Sequence, residues 1–217
     1  SDITTSIGSS EKVAGVPMTI NLTVTDSASG YAAMAGAAVY VWHCDATGNY
    51  SMYSQGATDQ TWLRGVTETN ANGTATFTSV FPGCYAGRWP HIHFEVYKST
   101  SDATSSGQIV KTSQIALPQA ICETVYQNTS TYPNSTRNLG QLSLKTDNVF
   151  GNDGGIHQLA TVTGDASSGY VVNLWNRRGD THTAHQAITF YRQTRLGLPA
   201  SVRIGWTLAD SGFGEEG

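Results

Sequence analysis

The chain has 217 residues, of which 39% are hydrophobic and only 13% charged, and its formal net charge is −4. This length and hydrophobic content suit one sizeable folded domain or two small ones. The negative charge argues against nucleic acid or an anionic membrane surface as the main partner, and no apolar run approaches the roughly 20 residues that span a bilayer.

Short segments with strand-like patterns follow one another along the chain. Residues 16–25 alternate apolar and polar side chains before a turn-like Asp-Ser-Ala-Ser-Gly. Residues 37–43 form a second run, which is rich in β-branched and aromatic side chains, and the alternation returns at 75–80 and 91–97. Gly-Asn, Asn-Gly and Pro-Gly pairs separate these runs. Short strands between such turns predict an all-β fold, either a β-sandwich or a barrel.

The rest of the chain offers one helix, a closing strand and an unassigned tail. Residues 117–126 are the clearest helix candidate, because Pro118 suits a first helical turn, and residues 170–175 are predicted to form a late strand. Five of the eight arginines lie beyond residue 176, so the composition changes there. We predict one β-sandwich over residues 1–176 and interpret residues 177–217 as further strands, an interaction arm or added sequence.

The three cysteines, Cys44, Cys84 and Cys122, allow at most one internal disulfide. No Cys-x-x-Cys pair occurs, which excludes a zinc ribbon. Scarce lysine and several Asn-x-Ser/Thr sequences favour a protein from an oxidising compartment, although residues 1–8 lack the apolar segment of a signal peptide. We therefore expect one disulfide, with the pairing undetermined, and the alternative is three buried free thiols.

The sharpest local signal is the segment Gly-Arg-Trp-Pro-His-Ile-His, which ends at His93. If it opens a strand, His91 and His93 point to the same face, because side chains alternate with a period of two. Two imidazoles on one face can chelate a metal ion; the alternative is a polar strand surface. Glu95 shares that face, which leaves a zinc or copper site open. Tyr50 and Tyr85, each of which follows a turn, compete with Glu95 as the further ligands.

Five segments follow one another in a distinctive order: residues 36–43 ending in Trp-His, Gly48-Asn49-Tyr50, Leu63-Arg64-Gly65, Pro82-Gly83-Cys84-Tyr85 and Arg88-Trp89-Pro90-His91-Ile92-His93. In order and spacing they resemble the intradiol ring-cleavage dioxygenases, a family that includes the catechol and protocatechuate dioxygenases. The resemblance extends over roughly residues 15–175 and is greatest to the secreted single-domain type from actinobacteria and fungi. It implies a transthyretin-like or immunoglobulin-like β-sandwich with one short helix and long loops.

The resemblance also implies a metal site. Tyr50, Tyr85, His91 and His93 would bind Fe(III), with a fifth position open to water or hydroxide. The residue types suit this ion, because a trivalent cation stabilises phenolate oxygens and two neutral imidazoles complete the set.

Three residues would have catalytic roles by the same resemblance. Arg88 would stabilise negative charge that develops on the substrate, Tyr85 would leave the metal and accept a substrate proton, and Gln114 would hydrogen-bond intermediates. His43, although it lies close to the site in sequence, is expected to be structural.

The implied function is cleavage of catechol-type aromatics by O2 to cis,cis-muconate-type diacids during extracellular degradation of lignin-derived compounds. The expected partners are small-molecule catechols and O2, without nucleic acid or membrane, and the expected state is a monomer. Two alternatives stay open. One is a non-catalytic transthyretin-like or carbohydrate-binding module that uses exposed tryptophans; the other is a zinc or copper site on His91, His93 and Glu95.

Overall fold

The computed structural model describes residues 1–174 and 188–189, and most of its regular structure is β-strand. A short 3-10 helix, Ser27–Ser29, follows the first strand. The strands are β1 Pro17–Asp26, β2 Ala32–Ala33, β3 Ala38–Trp42, β4 Arg64–Glu68, β5 Thr74–Val80, β6 His91–Tyr97, β7 Ile109–Ala116, β8 Thr161–Asp165, β9 Gly169–Leu174 and β10 Ile188–Thr189; the helices are α1 Thr100–Ala103, α2 Gln119–Val125 and α3 Ser135–Leu139.

Strand β1 lies at the centre of the larger of two sheets. Its residues 17–23 pair antiparallel with β5, and residues 18–22 pair in parallel with β9, whose other edge pairs with β8. The end of β1 pairs with the two-residue strands β2 and β10. The smaller sheet is antiparallel in the order β4-β3-β6-β7. The predicted all-β architecture is confirmed.

Alternate side chains of both sheets form one core, and each large apolar side chain buried there contributes on the order of 1.5–3 kcal/mol. Fully buried members are Ile20, Leu22 and Phe77 from the larger sheet and Val39, Val41, Ile92, Phe94 and Ile115 from the smaller one. Because side chains alternate along a strand, the opposite face of the smaller sheet carries Trp42, His93 and Gln114. That outer face positions the candidate site.

The predicted strands correspond to β1, β3, β5, β6 and β9, whereas β2, β4, β7 and β8 were not predicted. Strand β7, with the sequence Ile-Val-Lys-Thr-Ser-Gln-Ile-Ala, shows no clean alternation of burial, so its pattern was too weak to recognise. The predicted helix is α2, but Pro118 is its extended N-cap residue rather than part of the first turn. Two further short helices, α1 and α3, accompany it. None of the helices in residues 1–174 is long and apolar enough to cross a membrane.

The expectation of one disulfide is wrong, because all three thiols are free and buried. They pack as small apolar side chains: Cys122 lies on α2 in the core, and the Cys44 Sγ donates to the carbonyl of Gly83 at 3.4 Å. Burial raises the pKa of Cys44 above its usual range and that of Cys84 to about 12. These thiols are therefore protonated at neutral pH.

One short piece of the predicted tail is described. Strand β10 lies within residues 177–217 and pairs in parallel with residues 24–25 of β1. The other tail residues lie outside the described part of the chain, and the division at residue 176 stays a prediction.

Candidate metal centre

Four side chains from three segments meet at one end of the smaller sheet. His91 and His93 open strand β6, Tyr50 lies in the loop after β3, and Tyr85 lies in the loop after β5. The Nε2 atom of His91 is 3.1 Å from the Nε2 of His93, 3.3 Å from the Tyr85 hydroxyl and 3.4 Å from the Tyr50 hydroxyl. Four possible metal donors therefore converge, and they are the four that the sequence indicated.

The loop that carries Tyr50 is shaped by a side-chain turn. The carboxylate of Asp45 accepts the backbone N–H groups of Thr47 and Asn49, at 2.8 and 2.9 Å, as an Asp in such a turn typically does. Gly48 has a φ of +93°, and a Cβ there would lie 2.9 Å from the Cβ of Tyr85. Glycine is therefore needed both for the backbone conformation and for the close approach of the two tyrosine loops.

The loop that carries Tyr85 is held by helix α3. The backbone N–H of Cys84 donates to the Ser135 hydroxyl at 2.9 Å, and the Asn138 side chain donates to the Cys84 carbonyl at 2.7 Å. A Cβ on Gly83 would lie only 2.4 Å from the Ala46 carbonyl oxygen, so this glycine lets the Tyr85 loop pack against the Tyr50 loop. The sequence pattern gave no sign of this support.

Hydrogen bonding orients His91. Its Nδ1 lies 2.5 Å from the Trp89 carbonyl oxygen, which can only accept, so Nδ1 carries the proton and the Nε2 lone pair points into the cluster. Burial lowers the pKa of His91 to about 4 and that of His93 to about 2. The His93 ring also stacks on Trp42, with centroids 4.7 Å apart and planes 6° apart. Both imidazoles are neutral at neutral pH, as metal ligands must be.

The donor set fits a hard, highly charged cation. Burial raises the pKa of the Tyr50 and Tyr85 phenols, so their ionisation in this site requires a strong positive charge nearby. With two phenolates and two neutral imidazoles, the residues present match the ferric site that the sequence predicted.

The zinc or copper alternative is not supported. In residues 1–174, no group of three or more His, Cys, Asp or Glu side chains is placed to hold a metal ion. Glu95 instead accepts the Tyr97 hydroxyl at 2.6 Å, further along the strand. Glu95 therefore does not complete a third ligand position with His91 and His93.

Arg88 and Gln114 lie beside the cluster and contact each other. Gln114 is directly opposite His93 on strand β7, and its Oε1 accepts from the Arg88 Nη2 at 2.7 Å. The guanidinium also forms an ion pair with Asp147, whose Oδ2 is 3.0 Å from the Arg88 Nε. The sequence analysis predicted Arg88 and Gln114 as site residues but did not predict Asp147. The one available signal is that Asp147 lies in the segment Thr-Asp-Asn-Val-Phe.

His43 has no contact with the cluster that would make it a ligand. It is fully buried, and its ring nitrogens lie 2.8 Å from the Cys44 carbonyl oxygen and 2.7 Å from the Ser79 hydroxyl. Both nitrogens have partners, which confirms the structural role that the sequence suggested.

A family model described as "Dioxygenase" matches residues 2–129, which is more than half of the chain and includes all four donors. The chain belongs to the intradiol ring-cleavage dioxygenases. As such a dioxygenase it is an enzyme. No curated protein sequence matches it.

Solved structures share the fold of this intradiol dioxygenase. An intradiol ring-cleavage dioxygenase from Tetranychus urticae is 24% identical, with a TM-score of 0.66 over 80% of this chain and 82% of that one. The dioxygenase domain of a dioxygenase carbohydrate-binding protein fusion from Streptomyces sp. SirexAA-E is 25% identical, with a TM-score of 0.51 over 80% and 86% of the two chains. The secreted subtype of this dioxygenase stays a prediction.

Proposed function

We propose that this enzyme uses Fe(III), bound by Tyr50, Tyr85, His91 and His93, to cleave catechol-type aromatics with O2 to cis,cis-muconate-type diacids. The observation that carries the proposal is the convergence of three donor atoms within 3.1–3.4 Å of the His91 Nε2. The chemistry that ferric iron supplies when bound is chelation of two adjacent phenolic oxygens and activation of the ring towards O2. The substrate is therefore an ortho-diphenol.

The tyrosines differ in how the chain holds them. The backbone N–H of Tyr50 donates to the Ser54 hydroxyl at 2.9 Å, and the Tyr50 carbonyl accepts from the Ser54 N–H at 2.9 Å. The Tyr85 loop is anchored at the preceding residue, Cys84. We assign to Tyr85 the role of the base that would accept a proton from the substrate. Tyr50 would hold the metal.

Arg88 provides the positive charge at the edge of the site. Its charge helps to lower the pKa of His91, after the larger effect of burial, and that of His93, after the larger effects of burial and of His91. The guanidinium therefore acts electrostatically on the proposed metal site. We assign it to stabilising the negative charge that develops on the substrate ring. Gln114 holds the guanidinium through its Oε1.

We further propose that the enzyme acts outside the cell on lignin-derived catechols, as a monomer. The support is the resemblance to secreted members and the neutral surface with several Asn-x-Ser/Thr sequences. The three free thiols add no support for an oxidising compartment. Secretion can be tested by detecting the protein in culture supernatant with a specific antibody.

The enzymatic proposal is tested by an absorption spectrum with metal analysis, followed by a panel of catechols. We expect one iron per chain, a visible tyrosinate-to-iron band that changes when catechol is added without O2, and diacid products when O2 is admitted. Protein reloaded with Zn(II) is the matched control and should be colourless and inactive. A colourless protein that fails to gain a visible band on reconstitution with Fe(III) would refute the proposal.

A further inference from the structure

Asp147 is a buried carboxylate with a full set of hydrogen-bond donors. Its side chain is 0% exposed, and burial alone would raise its pKa. Hydrogen bonds from Arg88 and from the Trp89 backbone outweigh that effect and leave the pKa below its usual range. The Oδ2 atom accepts from the Arg88 Nε at 3.0 Å and the Trp89 N–H at 2.8 Å; Oδ1 accepts from the Arg88 Nη2 at 3.3 Å and from the N–H groups of Val149 and Phe150 at 2.8 and 3.2 Å.

One part of this network leads to a metal ligand. The Trp89 N–H binds Asp147, and the Trp89 carbonyl accepts the Nδ1 proton of His91. The indole N–H of Trp89 donates to the Leu117 carbonyl at 2.8 Å, so this residue is fixed at its backbone and at its side chain. The orientation of His91, and hence the direction of its free lone pair, depends on the Trp89 carbonyl.

The other part leads to the substrate side of the centre. Asp147 holds the Nε edge of the Arg88 guanidinium, and Gln114 holds Nη2. An arginine side chain that is free to move loses conformational entropy when it is ordered, and here both contacts are in place before substrate arrives. Arg88 is therefore preorganised.

We propose that Asp147 is a positioning residue that sets both the place of the Arg88 guanidinium and, through the Trp89 peptide, the orientation of His91. Its catalytic consequence rests on the proposed function, whereas the positioning itself does not. A single carboxylate from the loop before residue 151 thus couples the charge that faces the substrate to one ligand of the metal. The competing interpretation is that Asp147 only caps its own turn at Val149 and Phe150.

Asp147→Asn separates these interpretations. The amide oxygen can still accept from Val149 and Phe150, but the amide NH2 replaces Oδ2 and faces two other donors, the Arg88 Nε–H and the Trp89 N–H. Asp165→Asn is the matched control, because Asp165 also accepts two backbone N–H groups in its turn, from Ser167 and Ser168, and is exposed. A turn-capping role predicts equal effects of the two substitutions.

The first measurement is made on metal-free protein and does not depend on activity. In 15N-resolved NMR spectra, the Arg88 Nε–H of the unsubstituted protein should exchange with water at least about tenfold more slowly than that of the exposed Arg137. Asp147→Asn should abolish this protection and allow His91 to populate both tautomers, whereas Asp165→Asn should change neither. Arg88 exchange as fast as that of Arg137 in the unsubstituted protein would overturn the proposal, even if Asp147→Asn did not fold.

The second measurement is a double-mutant cycle on the iron-loaded enzyme. Asp147→Asn should lower kcat about 100-fold, as misplacement of a charge-stabilising donor typically does, with a much smaller change in KM. Arg88→Lys loses the forked contact to Asp147 and Gln114, so in its background Asp147→Asn should keep only the part of its cost that comes through His91. If the two losses multiply, Asp147 does not act through Arg88. If the iron-loaded protein has no activity, the double-mutant cycle cannot be measured. If the Arg88 Nε–H is still protected from exchange in the NMR spectra, that result contradicts the proposed reaction and not the positioning role of Asp147.

Discussion

His93 and Gln114 lie directly opposite each other on the neighbouring strands β6 and β7. Strand pairing alone therefore brings a proposed metal ligand next to the amide that holds Arg88. Sites built on paired strands keep their geometry better than sites built on loops. The sheet supplies His91 and His93, and the loops after β3 and β5 supply Tyr50 and Tyr85.

Removal of either histidine should release the metal. His91→Ala and His93→Ala each delete one neutral nitrogen donor from a set of four, so we expect iron content after dialysis to fall below about a tenth of that of the unsubstituted protein. Metal analysis by mass spectrometry measures this. His157→Ala, at an exposed position, is the control and should retain iron. Near-full occupancy in both ligand variants would refute the assignment.

The two tyrosines should respond differently to loss of the hydroxyl. Tyr85→Phe removes the proposed base, which is also the ligand that the family resemblance implies leaves the metal. We therefore expect this variant to retain iron and to lose about 10²–10⁴-fold in kcat. Tyr50→Phe should lose most of the visible band and bind iron more weakly. Stopped-flow absorption with catechol under anaerobic conditions reports substrate deprotonation directly. Unchanged deprotonation kinetics in Tyr85→Phe would argue against its role as the base.

His43 should make the metal-free protein sensitive to acid. Burial lowers the pKa of His43 in the folded state to about 4, against 6.5 in the unfolded chain. The unfolded state therefore takes up the proton first as pH falls, and stability that is present above pH 6.5 is lost towards pH 4. The loss from this group amounts to about 3 kcal/mol.

Urea unfolding at several pH values between 7 and 4 checks this expectation. The free energy of unfolding should depend less steeply on pH in His43→Gln than in the unsubstituted protein. His157→Gln should leave the slope unchanged. Identical slopes in all three proteins would show that His43 does not titrate between these pH values.

The cysteines should all be reduced and inert in the folded protein. Because Cys44, Cys84 and Cys122 are buried with raised pKa values, we expect no reaction with a thiol-specific disulfide reagent under native conditions. All three should react in denaturant without prior reduction, and a reductant should not change Tm. Detection of one thiol in denaturant would reveal a disulfide.

The sequence predicted those parts of the metal centre that follow from strand periodicity and from the order of the family's motifs. A period of two placed His91 and His93 on one face, and motif order added Tyr50 and Tyr85. Asp147 was not predictable in this way, because its partner Arg88 is 59 residues away and a buried anchoring aspartate looks like any turn aspartate. The free thiols were missed for a related reason. Whether two cysteines lie close enough to form a disulfide depends on tertiary packing, which the spacing of cysteines along the sequence does not reveal.

The pairing of β1 with β9 has a consequence for how the chain folds. The partners Asn21 and Asn173 are 152 residues apart, whereas all four strands of the smaller sheet lie within residues 38–116. Pairings between distant segments form slowly, so we expect the sheet that carries the histidines to form first during synthesis. Strand β1 must then wait until β9 has been made, with the backbone N–H and C=O groups of one edge unpaired. In that interval the nascent chain is most exposed to aggregation.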